Sequence, residues 1–539
     1  MKHSAKKRIE EEKKIARKKR TLKWSFVAAF ILLIQAIGSG FLFYSACKLG
    51  MFPTWMLTIL AGVLVVLLLV TTLLLIAGKK ETAAKNFRRF TGIFLAAVMT
   101  VTSVYIGNMF GAVDNTIENI TVTETTAAQE QEDVAAVMNV YVLNSNTAES
   151  LADCKDLKFG VIGSNDGPAS FAAVTKLKAE LNPNLKVTDY KNFNLLGIDF
   201  YHGDIQVAII NETNLKLLKE TQLFANWSDY TKLIAEIKIS TPELATAEAN
   251  NPYGNYDKPV EIKPATSAVE NIEVEPFIIY ISGSDSREEY FTTERSDVNI
   301  LMVVNPQTKQ ILLINTPRDY YIPNPRSSAG TEDKLTHLGI YGVDCSITGL
   351  ENLYDCDINY YVQINFTGLE KLVDDIGGVT IDNPQSFTAE DTYWYDEGVI
   401  TLNGAEALAY ARERHAFADG DNMRGQNQMR LIKAMFKKVT SSPTLIMNYN
   451  SILEDLEGYM LTNMEADEID TLVRMQLEDF PEWNIQTYAV TGWGGMDYTY
   501  SAPWEELYVT YPYYSTVYQA QDLIDRVLDG ETLSDEDVE

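Results

Sequence analysis

Three long apolar segments dominate the first hundred residues. They cover Trp24–Ala46, Trp55–Ala77 and Phe90–Phe110, and none of them contains Asp, Glu, Lys or Arg. Each is long enough for a helix to cross a hydrocarbon core of about 30 Å. Three uncharged segments in a row are not expected in the core of a soluble protein, and a cleaved signal peptide is shorter and stands alone. The pattern therefore predicts three transmembrane helices within residues 24–110.

Basic residues in the short flanking segments predict the orientation of this anchor. Residues 1–23 are rich in Lys and Arg, and the loop after the second span contains Lys79, Lys80, Lys85, Arg88 and Arg89. The turn between the first two spans has only Lys48. Because positive charge stays on the cytoplasmic side, the basic tail 1–23 and the second loop are expected in the cytoplasm. The chain beyond residue 110 is then extracellular, on a multi-pass cell-membrane protein.

The charge of the remaining chain limits which kinds of molecule it is expected to bind. Residues 111–539 hold 28 basic and 70 acidic residues, a formal charge of −42. Nucleic-acid binding needs a basic surface, so we expect no nucleic-acid partner. The basic tail is interpreted as a contact with the inner leaflet. An ectodomain with this much negative charge is expected to attract cations instead.

The ectodomain is predicted to contain two folded regions. A Thr/Glu/Gln-rich stalk covers residues 111–134, strand-like and helix-like segments then alternate over 135–238, and a linker rich in Pro, Ala, Thr and Glu covers 239–275. Alternating elements predict a small α/β accessory domain. Its expected elements are strands at Val137–Leu143, Lys158–Ile162, Val187–Phe193 and Asp204–Ile210, with helices at Pro168–Leu181 and Asn214–Leu223.

The largest domain is expected at residues 276–530, followed by an acidic tail at 531–539. Its predicted strands are Phe277–Ser282, Val298–Asn305, Gln310–Thr316, Tyr360–Asn365, Val379–Ile381 and Asn484–Val490. Its predicted helices are Ser346–Tyr354, Phe366–Ile376, Gly404–Arg412 and Arg424–Thr440. The second and third strands form a hairpin through Pro306-Gln307-Thr308. The fold class is α/β, with a central mixed sheet flanked by helices.

Charged side chains follow several of these strands. Asp285 comes after the first strand of the large domain and Asp297 precedes the second, which suits a hard divalent cation with oxygen ligands. Arginines from separate elements suit a phosphate or pyrophosphate, which a planar guanidinium binds through two hydrogen bonds. Arg412 and Arg414 are two positions apart, so they converge only if the helix ends there. Together these residues indicate phosphoryl transfer.

Other kinds of site find little support. His337 and His415 lack a third His or a Cys pair nearby, so a zinc site is not expected. There is no Walker A loop, kinase signature or Gly-x-Ser-x-Gly motif. Cys345 and Cys356 are close enough in sequence for a disulfide, but a helix between them would separate them by about 16 Å. That pairing stays open.

The ordered series of motifs resembles the LytR–CpsA–Psr (LCP) family. The matching segments run from residue 276 almost to the C-terminus, and the three-span anchor with an extra domain resembles CpsA-like members. The segments are Gly283-Ser284-Asp285-Ser286-Arg287, Arg295-Ser296-Asp297, Asn315-Thr316-Pro317-Arg318-Asp319, Asp333-Lys334-Leu335-Thr336-His337, Ile358–Val362, Asp375–Val379, Leu402–His415 and Arg424 with Gln428.

The resemblance implies an extracellular phosphotransferase of a Gram-positive type envelope. Such an enzyme moves a glycan phosphate from an undecaprenyl-pyrophosphate carrier to peptidoglycan, as in attachment of capsule, teichoic acid or a related polymer. By position, Asp285 and Asp297 would hold Mg²⁺, with Mn²⁺ as the alternative ion, and Arg295, Asp297 and Arg318 would be catalytic. The pyrophosphate would be held by Arg295, Arg318, Lys334, Arg412, Arg414, Arg424 and Gln428.

One motif departs from the family pattern Asp-x-Gly-Arg-x-x-Arg-Gln. Met423 replaces the glycine and Asn427 replaces the second arginine, so one positive charge is missing near the expected headgroup. The general base also stays open between Asp297 and Asp319. Two other functions remain as alternatives: a polyprenyl-pyrophosphate phosphatase, in which water replaces the sugar hydroxyl, and a non-catalytic envelope regulator or sensor.

Overall fold

The computed structural model describes residues 2–76, 83–120, 134–163, 167–218, 224–250, 260, 262, 266–286, 294–417, 420–442 and 449–538. The chain forms two compact units. One comprises Met1–Asn119, Ser442–Glu454 and Glu465–Pro481; the other comprises Ile120–Ser441, Asp455–Met464 and Glu482–Glu539.

The first unit contains the three apolar helices. They are α1 (Lys2–Lys48), α2 (Thr54–Ile76) and α3 (Ala83–Ile120), and their apolar parts at Leu22–Lys48, Thr54–Ile76 and Ala84–Phe110 are long enough to span a membrane. The prediction of three long apolar helices is confirmed. Trp24 donates its indole N–H to the carbonyl of Leu75 at 3.0 Å, and the guanidinium of Arg89 lies 4.1 Å from the Trp24 ring centre. These contacts fix one end of the bundle. Helix α3 continues ten residues into the predicted stalk.

The accessory domain is built on a five-stranded mixed sheet. Its strand order is β3-β2-β4-β1-β5, with parallel pairing of β2 to β3 and β4, and antiparallel pairing of β1 to β4 and β5. The strands are β1 (Ala136–Leu143), β2 (Lys158–Ile162), β3 (Lys186–Tyr190), β4 (Val207–Asn211) and β5 (Thr231–Ile239). The helices are α4 (Gly167–Glu180), α5 (Phe193–His202), α6 (Glu212–Leu218), α7 (Trp227–Tyr230) and α8 (Thr241–Ala249). The small α/β domain is therefore confirmed.

Several of its elements differ from the sequence prediction. The strand expected to reach Phe193 ends at Tyr190, because the Asn192 side chain accepts a hydrogen bond from the amide of Leu195 and starts helix α5 at Phe193. Strand β5 and helix α8 were not predicted, although α8 packs Ala247 into the domain core. Helix α8 lies inside the predicted linker. Of the helix expected at Asn214–Leu223, residues 219–223 lie outside the described part of the chain.

The large C-terminal domain has a six-stranded sheet at its centre. Its order is β16-β11-β6-β7-β8-β17, in which β6-β7-β8 is an antiparallel meander and β11 and β17 pair in parallel with β6 and β8. The strands are β6 (Phe277–Ser284), β7 (Val298–Asn305), β8 (Gln310–Asn315), β11 (Tyr360–Asn365), β16 (Met460–Thr462) and β17 (Asn484–Ala489). The predicted hairpin and the mixed sheet are confirmed.

Helices and small ribbons of the same unit flank this sheet. The helices are α9 (Leu335–Leu338), α10 (Val343–Tyr354), α11 (Phe366–Asp375), α12 (Gly404–Arg412), α13 (Gly420–Thr440) and α16 (Tyr514–Leu528). Helix α15 (Ala466–Asp479) and most of helix α14 (Tyr449–Leu456) belong to the first unit. The two-stranded ribbons pair β9 (Tyr321–Pro323) with β10 (Glu332–Lys334), β12 (Val379–Asn383) with β15 (Gly398–Leu402), β13 (Phe387–Ala389) with β14 (Tyr393–Tyr395), and β18 (Gly492–Tyr498) with β19 (Glu506–Pro512). Residues of the meander, α10 and α16 form the main core.

The four cysteines are free thiols. Cys345 is buried in α10 and Cys356 follows the end of that helix, as a helical connection between them requires.

A close approach between α13 and the end of β8 depends on glycine at position 425. A Cβ atom on Gly425 would lie 2.1 Å from the side-chain amide nitrogen of Asn315, well inside the van der Waals contact distance. We expect Gly425→Ala to lower the free energy of unfolding by about 1–3 kcal/mol, because Asn315 or the helix must shift. Urea unfolding of the purified protein measures this change. Lys437→Ala on the exposed face of the same helix is the control and should change it by less than about 0.5 kcal/mol. Equal stability of Gly425→Ala and wild type would contradict the close contact.

Candidate active site

Two neighbouring cavities open at the ends of the central strands. The first has a volume of about 300 Å³ and is lined by Asp285, Asp297, Val298, Arg318, Phe366, Glu390, Arg412, Glu413, Arg414, His415, Arg424 and Gln428. The second has a volume of about 520 Å³ and is lined by Arg295, Arg318, Asp319, Lys334, Arg414 and Tyr508. Arg318 and Arg414 line both cavities. A ligand with two phosphate groups therefore meets basic side chains from either side.

Asp297 and Arg318 form a largely buried ion pair between the two cavities. Arg318 Nη1 lies 2.8 Å from Asp297 Oδ1, and the two side chains are 13% and 14% exposed. The Thr336 hydroxyl donates to the same carboxylate oxygen at 3.2 Å. Main-chain hydrogen bonds hold both residues in place, since the Asp297 amide donates to the Gly283 carbonyl at 2.7 Å and the Thr336 amide donates to the Arg318 carbonyl at 2.8 Å.

Two further ion pairs flank this centre. Lys334 Nζ lies 2.7 Å from Asp319 Oδ1, with both side chains at least 90% buried. Arg295 Nη2 lies 3.6 Å from Asp285 Oδ2, and this pair is more exposed. The β9–β10 ribbon places Lys334 beside the segment that follows β8, because Lys334 pairs directly with Tyr321. The side chains of Arg295, Arg318 and Lys334, which come from three different segments, thus lie at one site.

The end of helix α12 supplies two more arginines. Asn403 caps the start of the helix and forms a reciprocal capping box with Glu406. The helix ends at Arg412, and Glu413 has extended backbone angles (φ −65°, ψ 129°), so Arg414 turns to the same cavity as Arg412. The Arg412 guanidinium pairs with Glu390 and lies 4.6 Å from the centre of the Phe366 ring.

Helix α13 covers the first cavity with Arg424 and Gln428. Gln428 donates its side-chain amide to the Ala411 carbonyl at 3.2 Å, which ties α13 to α12. Asn427, which stands where the family pattern has arginine, is 1% exposed and does not line either cavity. Its side-chain oxygen accepts a hydrogen bond from Arg430 Nη1 at 2.7 Å. The second arginine of the family pattern is therefore replaced by a buried neutral side chain that accepts a hydrogen bond from Arg430, about one helical turn later.

Comparison with known proteins identifies the family of this chain. Residues 243–509 match the sequence profile described as the LytR_cpsA_psr family. A protein of Halalkalibacterium halodurans named polyisoprenyl-teichoic acid–peptidoglycan teichoic acid transferase TagU is 34% identical over 225 residues, which cover 41% of this chain and 71% of that protein. This chain belongs to the LCP family. A protein of the same name from Enterococcus faecalis V583 is 34% identical over 197 residues, covering 36% of this chain and 64% of that protein.

Solved structures with similar chains include Bacillus TagV and TagT. The crystal structure of B. subtilis TagV is 26% identical, with a TM-score of 0.40, covering 47% of this chain and 98% of that one. TagT bound to LI-WTA is 24% identical, with a TM-score of 0.39, covering 51% of this chain and 97% of that one.

All nine residues predicted from the sequence for the LCP site line one of the two cavities. Asp285, Asp297, Arg412, Arg424 and Gln428 line the first, Arg295 and Lys334 line the second, and Arg318 and Arg414 line both. Their individual roles stay a prediction. His415 lines the first cavity, whereas His337 is fully buried and hydrogen-bonds to Asp333 through Nδ1 at 2.9 Å. Within the described residues, no group of three or more His, Cys, Asp or Glu side chains is arranged to hold a metal.

Sequence reasoning missed three residues of the site: Glu390, Thr336 and Tyr508. Glu390 follows a short ribbon strand, has a positive φ of 49°, and pairs with Arg412. Thr336 lies inside the Asp-Lys-Leu-Thr-His motif, whose charged members drew attention instead. Tyr508 is 174 residues from Lys334 along the chain, and no local pattern connects them. Of these three residues, only Thr336 lies in a motif that is recognisable in the sequence.

The carboxylate of Asp297 is hard to ionise in this setting. Burial raises its pKa most strongly, Arg318 opposes that rise, and the like charge of Asp285 adds to it. The two carboxylates fit a hard divalent cation such as Mg²⁺, which uses one or two carboxylates together with substrate phosphates. The buried Ser284 hydroxyl, directly before Asp285, has no hydrogen-bond partner among the described residues, so a polar atom at this strand end is left for a ligand.

The raised pKa of Asp297 gives a test by pH. Between the ordinary pKa of about 3.9 and the raised folded value, the native state holds the proton more tightly than the unfolded state, so the free energy of unfolding falls as pH rises. Asp297→Asn removes this titration. We therefore expect the stability difference between variant and wild type to move in favour of the variant from about pH 4 to pH 7, in urea unfolding at matched ionic strength. If the stability difference changed in favour of wild type over that range, Arg318 would lower the pKa of Asp297 by more than burial raises it.

Proposed function

We propose that this LCP protein transfers a glycan phosphate from a polyprenyl-pyrophosphate carrier to a hydroxyl group of peptidoglycan outside the membrane. The observation that carries the proposal is the pair of basic cavities sharing Arg318 and Arg414, with Asp285 and Asp297 at one side. Such an arrangement suits a diphosphate whose central bond is to be broken. The names of the two TagU relatives support a transferase acting on a wall polymer.

Different residues of the site have different roles in the proposed phosphoryl transfer. Arginines of both cavities hold the two phosphate groups and stabilise the charge of the transition state. The acceptor oxygen forms a new bond to the phosphorus that bears the glycan, and the bond from that phosphorus to the polyprenyl phosphate breaks. The acceptor proton passes to Asp297 or Asp319, which lie 2.8 and 3.8 Å from the Arg318 guanidinium.

A divalent cation, Mg²⁺ or Mn²⁺, belongs to this proposal as the cofactor. Asp285 and Asp297 would hold it, and it would neutralise the phosphate oxygens. Arg295 pairs with Asp285 at 3.6 Å, and Arg318 pairs with Asp297, so both carboxylates already lie beside phosphate-binding cations.

The proposed location is the outer face of a cell membrane, with the N-terminus in the cytoplasm. The three apolar helices and the basic flanks support it. In the first unit, Leu49 and Met51 of the turn between α1 and α2 pack against Leu477 of α15. This contact supports a common side for the turn and for the chain that follows the third span.

The first experiment removes one charge at a time from the centre of the site. We expect Asp297→Ala and Arg318→Ala to reduce transfer by at least about 100-fold, since each removes a group aimed at the reacting phosphate. The measurement is chromatography and mass analysis of products from a lipid-linked glycan donor with uncross-linked peptidoglycan. Arg526→Ala, a paired surface arginine on α16, is the control and should keep full activity.

The products also separate the transferase from a phosphatase. Glycan joined to peptidoglycan by a phosphodiester supports the proposal, whereas free glycan phosphate or inorganic phosphate alone would mean that water is the acceptor. Normal attachment by both variants would leave only the non-catalytic role.

A second experiment tests the orientation. One cysteine at a time is introduced by Ser4→Cys or Glu536→Cys in a chain that carries Cys47→Ala and Cys356→Ala and in which the remaining Cys154 and Cys345 are buried. We expect a membrane-impermeant maleimide to label Glu536→Cys on intact cells and to label Ser4→Cys only after lysis. The reverse pattern would place the catalytic domain inside the cell.

A further inference from the structure

The β18–β19 ribbon lies directly beside the second cavity. The Thr510 amide donates to the Asp319 carbonyl at 2.7 Å, and Tyr320 forms a β-bridge with Thr510. Tyr508, two residues earlier on β19, lines the cavity together with Arg295 and Lys334. The ribbon is thus joined through the main chain to the residue that follows Arg318.

One face of this ribbon carries exposed apolar side chains at its centre, with Thr510 and Glu506 at its two ends. Met496 pairs with Tyr508, and alternation along β18 puts Gly494 and Tyr498 on the same face. Met496, Tyr498 and Tyr508 are 56%, 51% and 53% exposed. The opposite face is occupied, because Trp493 stacks on Tyr511 at 4.2 Å and Val509 is fully buried. We call the open face, made of Gly494, Met496, Tyr498 and Tyr508, the aromatic platform.

Gly494 shapes the platform. A Cβ atom at this position would lie 2.4 Å from the Tyr508 hydroxyl and 2.8–2.9 Å from two of its ring atoms. The Tyr508 side chain therefore lies over the glycine, and the residue is still 53% exposed. A flat, exposed aromatic ring next to basic side chains suits a sugar ring, whose C–H face packs on the aromatic while its hydroxyl and acyl oxygens accept hydrogen bonds.

We propose that the aromatic platform binds saccharide rings of the peptidoglycan acceptor strand, beside the phosphate that is transferred. This inference rests on the proposed function. In an in-line transfer, the entering and leaving oxygens lie on opposite sides of the phosphorus. Asp285 and Asp297 line the first cavity and suit the leaving phosphate, whereas the platform adjoins the second cavity, on the other side of Arg318 and Arg414.

The accessory domain holds the platform in position. The loop between β18 and β19 carries Trp504, whose ring meets Phe193 of α5 edge to face at 4.7 Å and packs against the core of the accessory domain. At the other side of the loop, Ser501 hydrogen-bonds to the buried Asp333 carboxylate, next to Lys334. The accessory domain thus acts on the acceptor subsite through this loop, and its residues are positioning residues.

Steady-state kinetics with two substrates test the proposal in the full chain, reconstituted in nanodiscs. The donor is a polyprenyl-pyrophosphate disaccharide and the acceptor is an uncross-linked peptidoglycan oligosaccharide. We expect Tyr508→Ala to raise the KM for the acceptor about tenfold while the KM for the donor stays within about twofold. Tyr508→Phe keeps the ring and should resemble wild type. Gly494→Ala displaces the ring and should raise the acceptor KM with Tyr508 still present. Tyr201→Ala, at an equally exposed aromatic of the accessory domain, is the control.

The outcomes separate the platform from other roles. An unchanged acceptor KM in Tyr508→Ala overturns the proposal. A rise in the donor KM instead assigns the platform to the donor sugar, and loss of donor cleavage by water as well assigns Tyr508 a purely structural role; either result overturns it too.

A binding measurement without donor distinguishes failure of this inference from failure of the proposed function. Saturation-transfer NMR of the oligosaccharide with wild type should show ring-proton signals that Tyr508→Ala loses. If transfer is absent but these signals depend on Tyr508, the function proposed above fails and the subsite stands. If transfer is present and the signals are the same in both proteins, the subsite fails alone.

Discussion

The ion pair between Asp297 and Arg318 is the interaction on which the site depends. Both side chains are about 86% buried, so either charge alone would carry a large desolvation cost. The pair is held from the backbone, because the Asp297 amide donates to the Gly283 carbonyl of β6. The main chain of Thr336 bonds both to Ser296, which precedes β7, and to Arg318, which follows β8. The antiparallel meander thus brings three strand ends together, and the ion pair neutralises the charges collected there.

The same rule extends across the site. Arg412 pairs with Glu390, Lys334 with Asp319, and Arg295 with Asp285, so each of these cations has a carboxylate partner in the free protein. In a chain with a formal charge of −29, this pairing keeps the site nearly neutral at rest. A bound diphosphate must then replace carboxylates as the partner of the arginines, and a divalent cation held by Asp285 and Asp297 would compensate the carboxylates that it displaces.

The elements of the LCP domain were predictable where local pattern and packing agree. Strand β7 and helix α12 have the predicted bounds, since β7 is an unbroken apolar run and α12 begins with a capping box. The charged motifs predicted the position of the site correctly, because the strand ends of one antiparallel meander that carry them meet at the same end of the sheet. Strand β5 was missed because it is an edge strand with exposed charged positions, and its pairing with β1 is not visible in a local pattern. Tyr508 was missed because bonds between residues distant in sequence, such as that of Thr510 to Asp319, bring it to the cavity.

That distant connection changes how the accessory domain is understood. Its sequence contains no recognisable site, yet its core receives Trp504 from the loop whose strands carry Tyr508. Since Ser501 of the same loop is tied to Asp333, which precedes Lys334, the loop is fixed at two points, one in each domain. A ribbon fixed at both ends of its loop loses little conformational freedom when a flexible glycan binds, so more of the contact energy remains for binding. The extra domain then contributes to an acceptor site without touching the acceptor itself.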